Sequence, residues 1–113
     1  NDSMTRNTPD QIALCLKEYI LHNFTTDINL NLIANNMCYS PGYLTKIFFQ
    51  AYETTPSKYI ISLRISKAKY LLSHNQELSI KQVGELVGYH EQGYFSRIFK
   101  KQTGVSPFEY REN

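Results

Sequence analysis

Tryptophan is absent from this chain, cysteine occurs only twice, and no apolar run approaches the ~20 residues that a membrane-spanning helix needs. No segment has the layout of a signal peptide, so neither a membrane nor an export route is expected. Cys15 and Cys38, with His22, His74 and His90, show no C-x-x-C or H-x-x-x-H spacing. They read as two reduced thiols and three solvent-facing imidazoles, a usage that argues against a metal site and fits a cytoplasmic protein. Also missing are a Gly-rich phosphate loop and a nucleophile with a base partner on a defined element. No enzyme activity and no cofactor is therefore expected.

What is present is enough to build a core. Of the 113 residues, 42% are apolar, with Tyr and Phe supplying the bulk, which argues against a disordered tail. The length allows one small domain, or two very small subdomains that share a linker. The chain opens on Asn1 rather than Met, and is expected to be excised from a longer protein whose partner domain is missing. Net charge is only +2, but it is unevenly spread. Residues 1–55 carry three cations (Arg6, Lys17, Lys46) against five carboxylates, a net −2. Residues 56–111 carry nine cations against four carboxylates, a net +5, as an anionic partner would favour.

The pattern is helical nearly throughout, and no segment alternates as a strand would. Thr8-Pro9-Asp10 supplies an N-cap residue, a first-turn Pro and an acid, followed by an apolar stripe at Ile12, Leu16, Tyr19, Ile20 and Phe24. A short helix passes through Leu30, Ile33, Ala34 and Met37. Ser40-Pro41 and Thr55-Pro56 repeat the start signal, the second opening a long helix that stops near His74-Asn75. Ser79 caps a short helix ended by Gly88, another runs through Phe95 and Phe99 to Gly104, and Ser106-Pro107 starts the last.

The chain also resembles itself. Residues 30–39 align with 80–89 at an offset of 50, placing Ala34 on Gly84 and Tyr39 on Tyr89. Residues 42–59 align with 93–110 at an offset of 51. There Gly42-Tyr43-Leu44-Thr45-Lys46-Ile47-Phe48 faces Gly93-Tyr94-Phe95-Ser96-Arg97-Ile98-Phe99, Pro56 meets Pro107, and Tyr59 meets Tyr110. The one-residue change falls in the turn between paired helices, where an insertion costs least. Each unit is thus a short helix, a tight turn and a second helix, the layout of a helix-turn-helix. Small Ala34 and Gly84 suit a close approach of the two helices. Two structural hairpins with no nucleic-acid role would share this layout.

Over about residues 9–111 the sequence resembles the AraC/XylS family of bacterial transcription regulators. The resemblance is carried by Arg64-Ile65, Ala68, Leu71-Leu72, Ser79-Ile80, Val83, Val87-Gly88-Tyr89, Tyr94-Phe95-Ser96-Arg97, Phe99-Lys100-Lys101, Gly104-Val105-Ser106-Pro107 and Tyr110-Arg111. It implies an all-α fold of seven helices, with two helix-turn-helix subdomains (9–54 and 75–113) joined by a long helix within 55–74, behind a sensor or receiver domain. The first unit departs from the pattern. Cys38 stands where a Gly like Gly88 is usual, and Phe49-Gln50-Ala51-Tyr52-Glu53 replaces the basic pair and Gly. A non-Gly residue in a left-handed turn is strained. With fewer cations as well, the first unit is expected to bind DNA less tightly or with a different preference.

Double-stranded DNA is then the expected partner, and RNA polymerase is the rival if the units dock on protein instead. With Phe95, Ile98 and Phe99 inward, Glu91, Gln92, Gly93, Ser96, Arg97 and Lys100 face the groove. Gln92 matches adenine and Arg97 the two acceptors of guanine, although Arg97 on a phosphate is the alternative. In the first unit Gly42, Thr45 and Lys46 are the base-contact candidates. Phe49 meets either a thymine methyl or a missing domain. Phosphates fall to Ser40 and Ser79 at helix starts and to Lys58, Lys81, Lys100 and Lys101, or these lysines are simply solvated. Arg64 either pairs with a carboxylate or touches DNA. Tyr39, Tyr59, Tyr89 and Tyr110 read as packing groups. A linking helix of ~18 residues spans ~27 Å, which suits two recognition helices entering successive major-groove segments ~34 Å apart. A monomer reading a non-palindromic site is expected, with any dimerisation left to the missing part.

Overall fold

A computed structural model describes residues 7–113; Asn1, and the Asp2 and Arg6 counted in the charge of the first half, lie outside the described residues. Seven helices are found among them: α1 (Pro9–Asn23), α2 (Leu30–Met37), α3 (Pro41–Tyr52), α4 (Pro56–His74), α5 (Ile80–Val87), α6 (Gln92–Thr103) and α7 (Pro107–Glu112). No strand occurs among the described residues. The all-α, seven-helix expectation holds.

Side-chain caps set the helix starts. Thr8 Oγ1 accepts from the Gln11 amide at 3.2 Å, and the Thr8 amide donates to Gln11 Oε1 at 2.9 Å. The same reciprocal box forms between Ser79 and Gln82 and between Ser106 and Glu109. Ser40 and Thr55 cap α3 and α4. Two caps escaped the sequence reading: Asn29 on α2, and Glu91 on α6.

The chain packs as two compact units, and α4 passes from one to the other at Ile60/Ile61. In the first unit α3 packs against α1 and α2. Ile12, Ala13, Leu16, Ile20, Ile33, Ala34, Leu44, Ile47 and Phe48 are buried there. Tyr19, placed on the apolar stripe by its spacing, is half exposed instead, and Ala13 takes a core position. The second unit is built on Ile65, Ala68, Leu72, Val83, Val87, Tyr89, Phe95 and Phe99.

The duplication survives as matched contacts. Phe48 and Tyr59 rings lie 5.6 Å apart in the first unit, and their counterparts Phe99 and Tyr110 lie 5.5 Å apart in the second. Tyr39–Tyr43 and Tyr89–Tyr94 repeat in the same way, at 5.4 and 5.6 Å. The four recurrent tyrosines are therefore packing groups. Burial pushes the Tyr89 hydroxyl up, with the neighbouring Arg64 guanidinium pulling the other way.

Helix ends are matched too, at a cost in the first unit. Gly88 (φ 111°) and Gly104 (φ 90°) end α5 and α6 in the left-handed region. At the equivalent places stand Cys38 (φ 66°) and Glu53 (φ 58°), the strain expected from the sequence. A left-handed non-Gly residue costs about 1–2 kcal/mol, and Gly gives back about 0.5–1 kcal/mol through its freer unfolded chain. Cys38→Gly and Glu53→Gly are each expected to raise the melting temperature by about 4 °C. Thermal melts followed by circular dichroism check this; an unchanged or lower midpoint in both would sink the strain argument.

Candidate nucleic-acid interface

In the second unit, the αL turn at Gly88 reverses the chain between α5 and α6, and the buried Phe95 and Phe99 fix which face of α6 is outward. Ile98, expected to face inward, is half-buried. Gln92, at the first position of α6, is exposed, as are Gly93, Arg97, Lys100 and Lys101, while Ser96 is half-buried. Glu91 accepts from the Tyr94 amide at 2.8 Å and lies 3.6 Å from Arg97 Nη2. Its carboxylate thus holds the helix start and steers Arg97 back along the first turn of α6. Gly93 makes room for this: a Cβ there would sit 3.3 Å from both Arg97 Nη1 and Glu91 Oε1. Glu91, Gln92, Gly93 and Arg97 therefore gather at the N-terminal half of α6, where a recognition helix presents its base-reading groups.

Lys100 and Lys101 lie in the last turn of α6, where cations complement the helix dipole. Ser79 and Lys81 lie at the start of α5, with Ser79 Oγ occupied by the Gln82 amide at 3.0 Å. Tyr94 lies outside the groove-facing set expected from the sequence. It is 49% exposed and shares a shallow groove with Arg97, Ile98 and Lys101. Helical phase carried the signal, since 94, 97, 98 and 101 fall on one face.

In the first unit, Leu44, Ile47 and Phe48 are buried as the spacing requires, which turns Gly42, Lys46 and Gln50 outward and leaves Thr45 half-buried. Ser40 Oγ caps α3 by accepting from the Tyr43 amide at 3.1 Å. Phe49 stands in this outward set at 53% exposure. Lys58 is exposed in the first turn of α4.

Two arginines do work that spacing did not reveal. Arg64 was expected on a carboxylate or on DNA; its Nε and Nη2 donate instead to the carbonyls of Phe24 and Thr26, at 2.6 and 2.8 Å. Arg111 donates to the carbonyls of Leu72, Leu78 and Asn75, at 3.1, 2.6 and 3.2 Å. These carbonyls belong to the end of α4 and the turn after it, groups that a helix end leaves without intrahelical partners. His90 is exposed as expected, but is hydrogen-bonded to Asp27 at 2.6 Å. Cys15 and Cys38 are free and exposed. No helix among the described residues is long and apolar enough to cross a membrane.

A family model described as a helix-turn-helix domain matches residues 33–113. The arabinose operon regulatory protein of Escherichia coli is 39% identical over 90 residues, covering 80% of this chain and 30% of that protein. The Msm operon regulatory protein of Streptococcus mutans is 32% identical over 97 residues, covering 86% of this chain and 34% of that protein. The chain thus spans about a third of the length of these regulators. Among solved structures, the C-terminal domain of AraT, a response regulator from Geobacillus stearothermophilus, superposes with a TM-score of 0.84 at 36% identity, covering 89% of this chain and 84% of that one. The DNA-binding domain of AdpA, solved with a target DNA, has a TM-score of 0.80 at 20% identity over 88% of this chain and 89% of that one, a likeness of fold.

Proposed function

Since the chain belongs to the AraC/XylS family of bacterial transcriptional regulators, we propose that it reads double-stranded DNA by sequence through α3 and α6, each in its own major-groove segment. The observation that carries this is the outward cluster on α6, with Gln92 and Arg97 displayed over a buried Phe95–Phe99 face. Gln92 and Arg97 take the base edges, with Glu91, Ser96 and Tyr94 beside them. Gly42, Thr45 and Lys46 do the same from α3. Ser40 and Ser79, at helix starts, and Lys58, Lys81, Lys100 and Lys101 meet phosphates.

The two units share Gly42/Gly93 and the like pairs Thr45/Ser96 and Lys46/Arg97 but differ outward at Pro41/Gln92, Phe49/Lys100 and Gln50/Lys101, so the site is asymmetric and a single chain reads it. The α3 unit, with Phe49 and Gln50 where α6 carries Lys100 and Lys101, is the weaker partner. The role is binding and regulation in the cytoplasm, not catalysis. Signal sensing and any dimerisation belong to the remainder of a longer protein.

Selection of bound sequences from a random duplex pool tests this. The expected result is an asymmetric two-block motif, with affinity falling steeply as salt rises through release of phosphate counterions. Arg97→Ala is expected to lower affinity about tenfold and to relax preference within one block only. Exposed Leu32, Phe49, Leu86 and Phe108 favour a second reading, docking on RNA polymerase. Binding that enriches no sequence and ignores salt would select that reading instead.

A further inference from the structure

Residues 24–27 connect α1 to α2, yet they pack with the second unit. They are tied to the turn that launches α6. On one side stands Arg64, whose Nε and Nη2 hold the Phe24 and Thr26 carbonyls. The same guanidinium lies 4.8 Å from the centroid of the Tyr89 ring. It also presses on Gly88, where a Cβ would sit 2.9 Å from Arg64 Cζ. On the other side, Asp27 Oδ1 meets His90 Nε2 at 2.6 Å. Gly88, Tyr89 and His90 are thus each held in place, and the next residue is the Glu91 that caps α6.

The direction in which a helix leaves its turn is set by the backbone angles of that turn. Gly88 sits at φ 111°, a region that Gly occupies freely, so without external contacts the turn has unusual freedom. Tyr89, buried against the Phe95 ring, carries the constraint into α6 itself. A planar guanidinium can serve two carbonyls with its edge while stacking on a ring with its face, and an ammonium cannot.

We propose that Arg64 and the Asp27–His90 pair are positioning residues for DNA reading by α6. They clamp the 88–90 turn to the 24–27 segment and so set the angle at which Gln92 and Arg97 meet the groove. The proposal rests on the DNA reading given above, and the test separates the two.

Asp27 and His90 side chains are 81% and 74% exposed, so changing them disturbs little of the fold. The whole chain is titrated with the duplex it selects, and with two derivatives in which one block or the other is scrambled. The α6 block is identified by Arg97→Ala. Asp27→Ala and His90→Ala are each expected to weaken binding to the selected duplex about fivefold, within the worth of one well-placed base contact. They should leave binding to the α6-scrambled duplex unchanged, because the loss belongs to base reading there. Exchanging the pair, Asp27→His with His90→Asp, should restore affinity, and Arg64→Lys should resemble the single variants. A general loss of stability would reduce binding to all duplexes alike and would not be rescued by the exchange. Wild-type preference at the α6 block in both Ala variants, or equal losses on all three duplexes, would overturn the proposal. A wild-type chain that enriches no sequence would overturn the DNA reading itself.

Discussion

Replacing Arg111 with Ala is expected to destabilise the second unit by about 3 kcal/mol, the worth of charge-assisted hydrogen bonds to partly buried carbonyls, discounted for solvent access. The guanidinium donates to Leu72, Asn75 and Leu78, three carbonyls on the last turn of α4 and the loop toward α5. Gln76 also reaches back to the Leu72 carbonyl at 3.2 Å and the Leu78 amide donates to the Asn75 carbonyl at 3.0 Å, so the loss of Arg111 falls chiefly on the Leu78 carbonyl, its shortest partner. Because Arg111 lies on α7, its removal also loosens that six-residue helix, which keeps the buried Pro107 and the Tyr110–Phe99 contact. A loss of this size lowers the melting temperature by roughly 10 °C. Arg111→Lys should recover less than half of it, since one ammonium on a flexible stem cannot span three carbonyls with fixed directions. Thermal melts with amide hydrogen exchange of α5 and α6 provide the check. Exchange that stays slow in Arg111→Ala would mean that the three hydrogen bonds contribute little.

Gly84→Ala is expected to cost about 2 kcal/mol, the range for one extra methyl in a packed core. A Cβ at Gly84 would lie 2.9 Å from Phe95 Cδ2 and 3.2 Å from Phe95 Cβ, so the ring cannot escape by a simple rotation. The first unit solves the same packing problem differently. Ala34 stands at the place of Gly84 and Leu44 at the place of Phe95, all four buried. The small partner grows by a methyl where the large one shrinks from Phe to Leu. Phe95→Leu alone should destabilise by opening a cavity. Gly84→Ala with Phe95→Leu should be more stable than the sum of the two single losses allows. Strict additivity of the melting free energies would show that the two positions do not share this space.

The duplication explains why so much was legible beforehand. A repeat at offsets of 50 and 51 tests each local reading twice, and in-register Gly-Tyr, Pro and Tyr residues admit few other alignments. Ser-Pro and Thr-Pro starts and the Gly stops mark helix ends because capping and φ preference act within a few residues along the chain. For the same reason the backbone strain at Cys38 and Glu53 was visible as a missing Gly. The outward set of α6 followed from helical phase, except that Ser96 and Ile98 are half-buried and Tyr94 is exposed.

Caps outside the Ser/Thr-Pro pattern were harder to see. Helical phase placed Glu91 on the groove side of α6 but could not show that its carboxylate also accepts from the Tyr94 amide and lies near Arg97. Arg64, Arg111 and the Asp27–His90 pair lay further out of reach. Their partners are 40, 39 and 63 residues away, and two of the three partner sets are backbone carbonyls, which every residue possesses. The sequence alone therefore determined the helices, the duplicated unit and most of the face that α3 and α6 turn outward, because those depend on neighbours along the chain. Only the tertiary structure decided which cations are consumed in holding the turns and which stay exposed, because a carbonyl acceptor leaves no trace in a side-chain pattern.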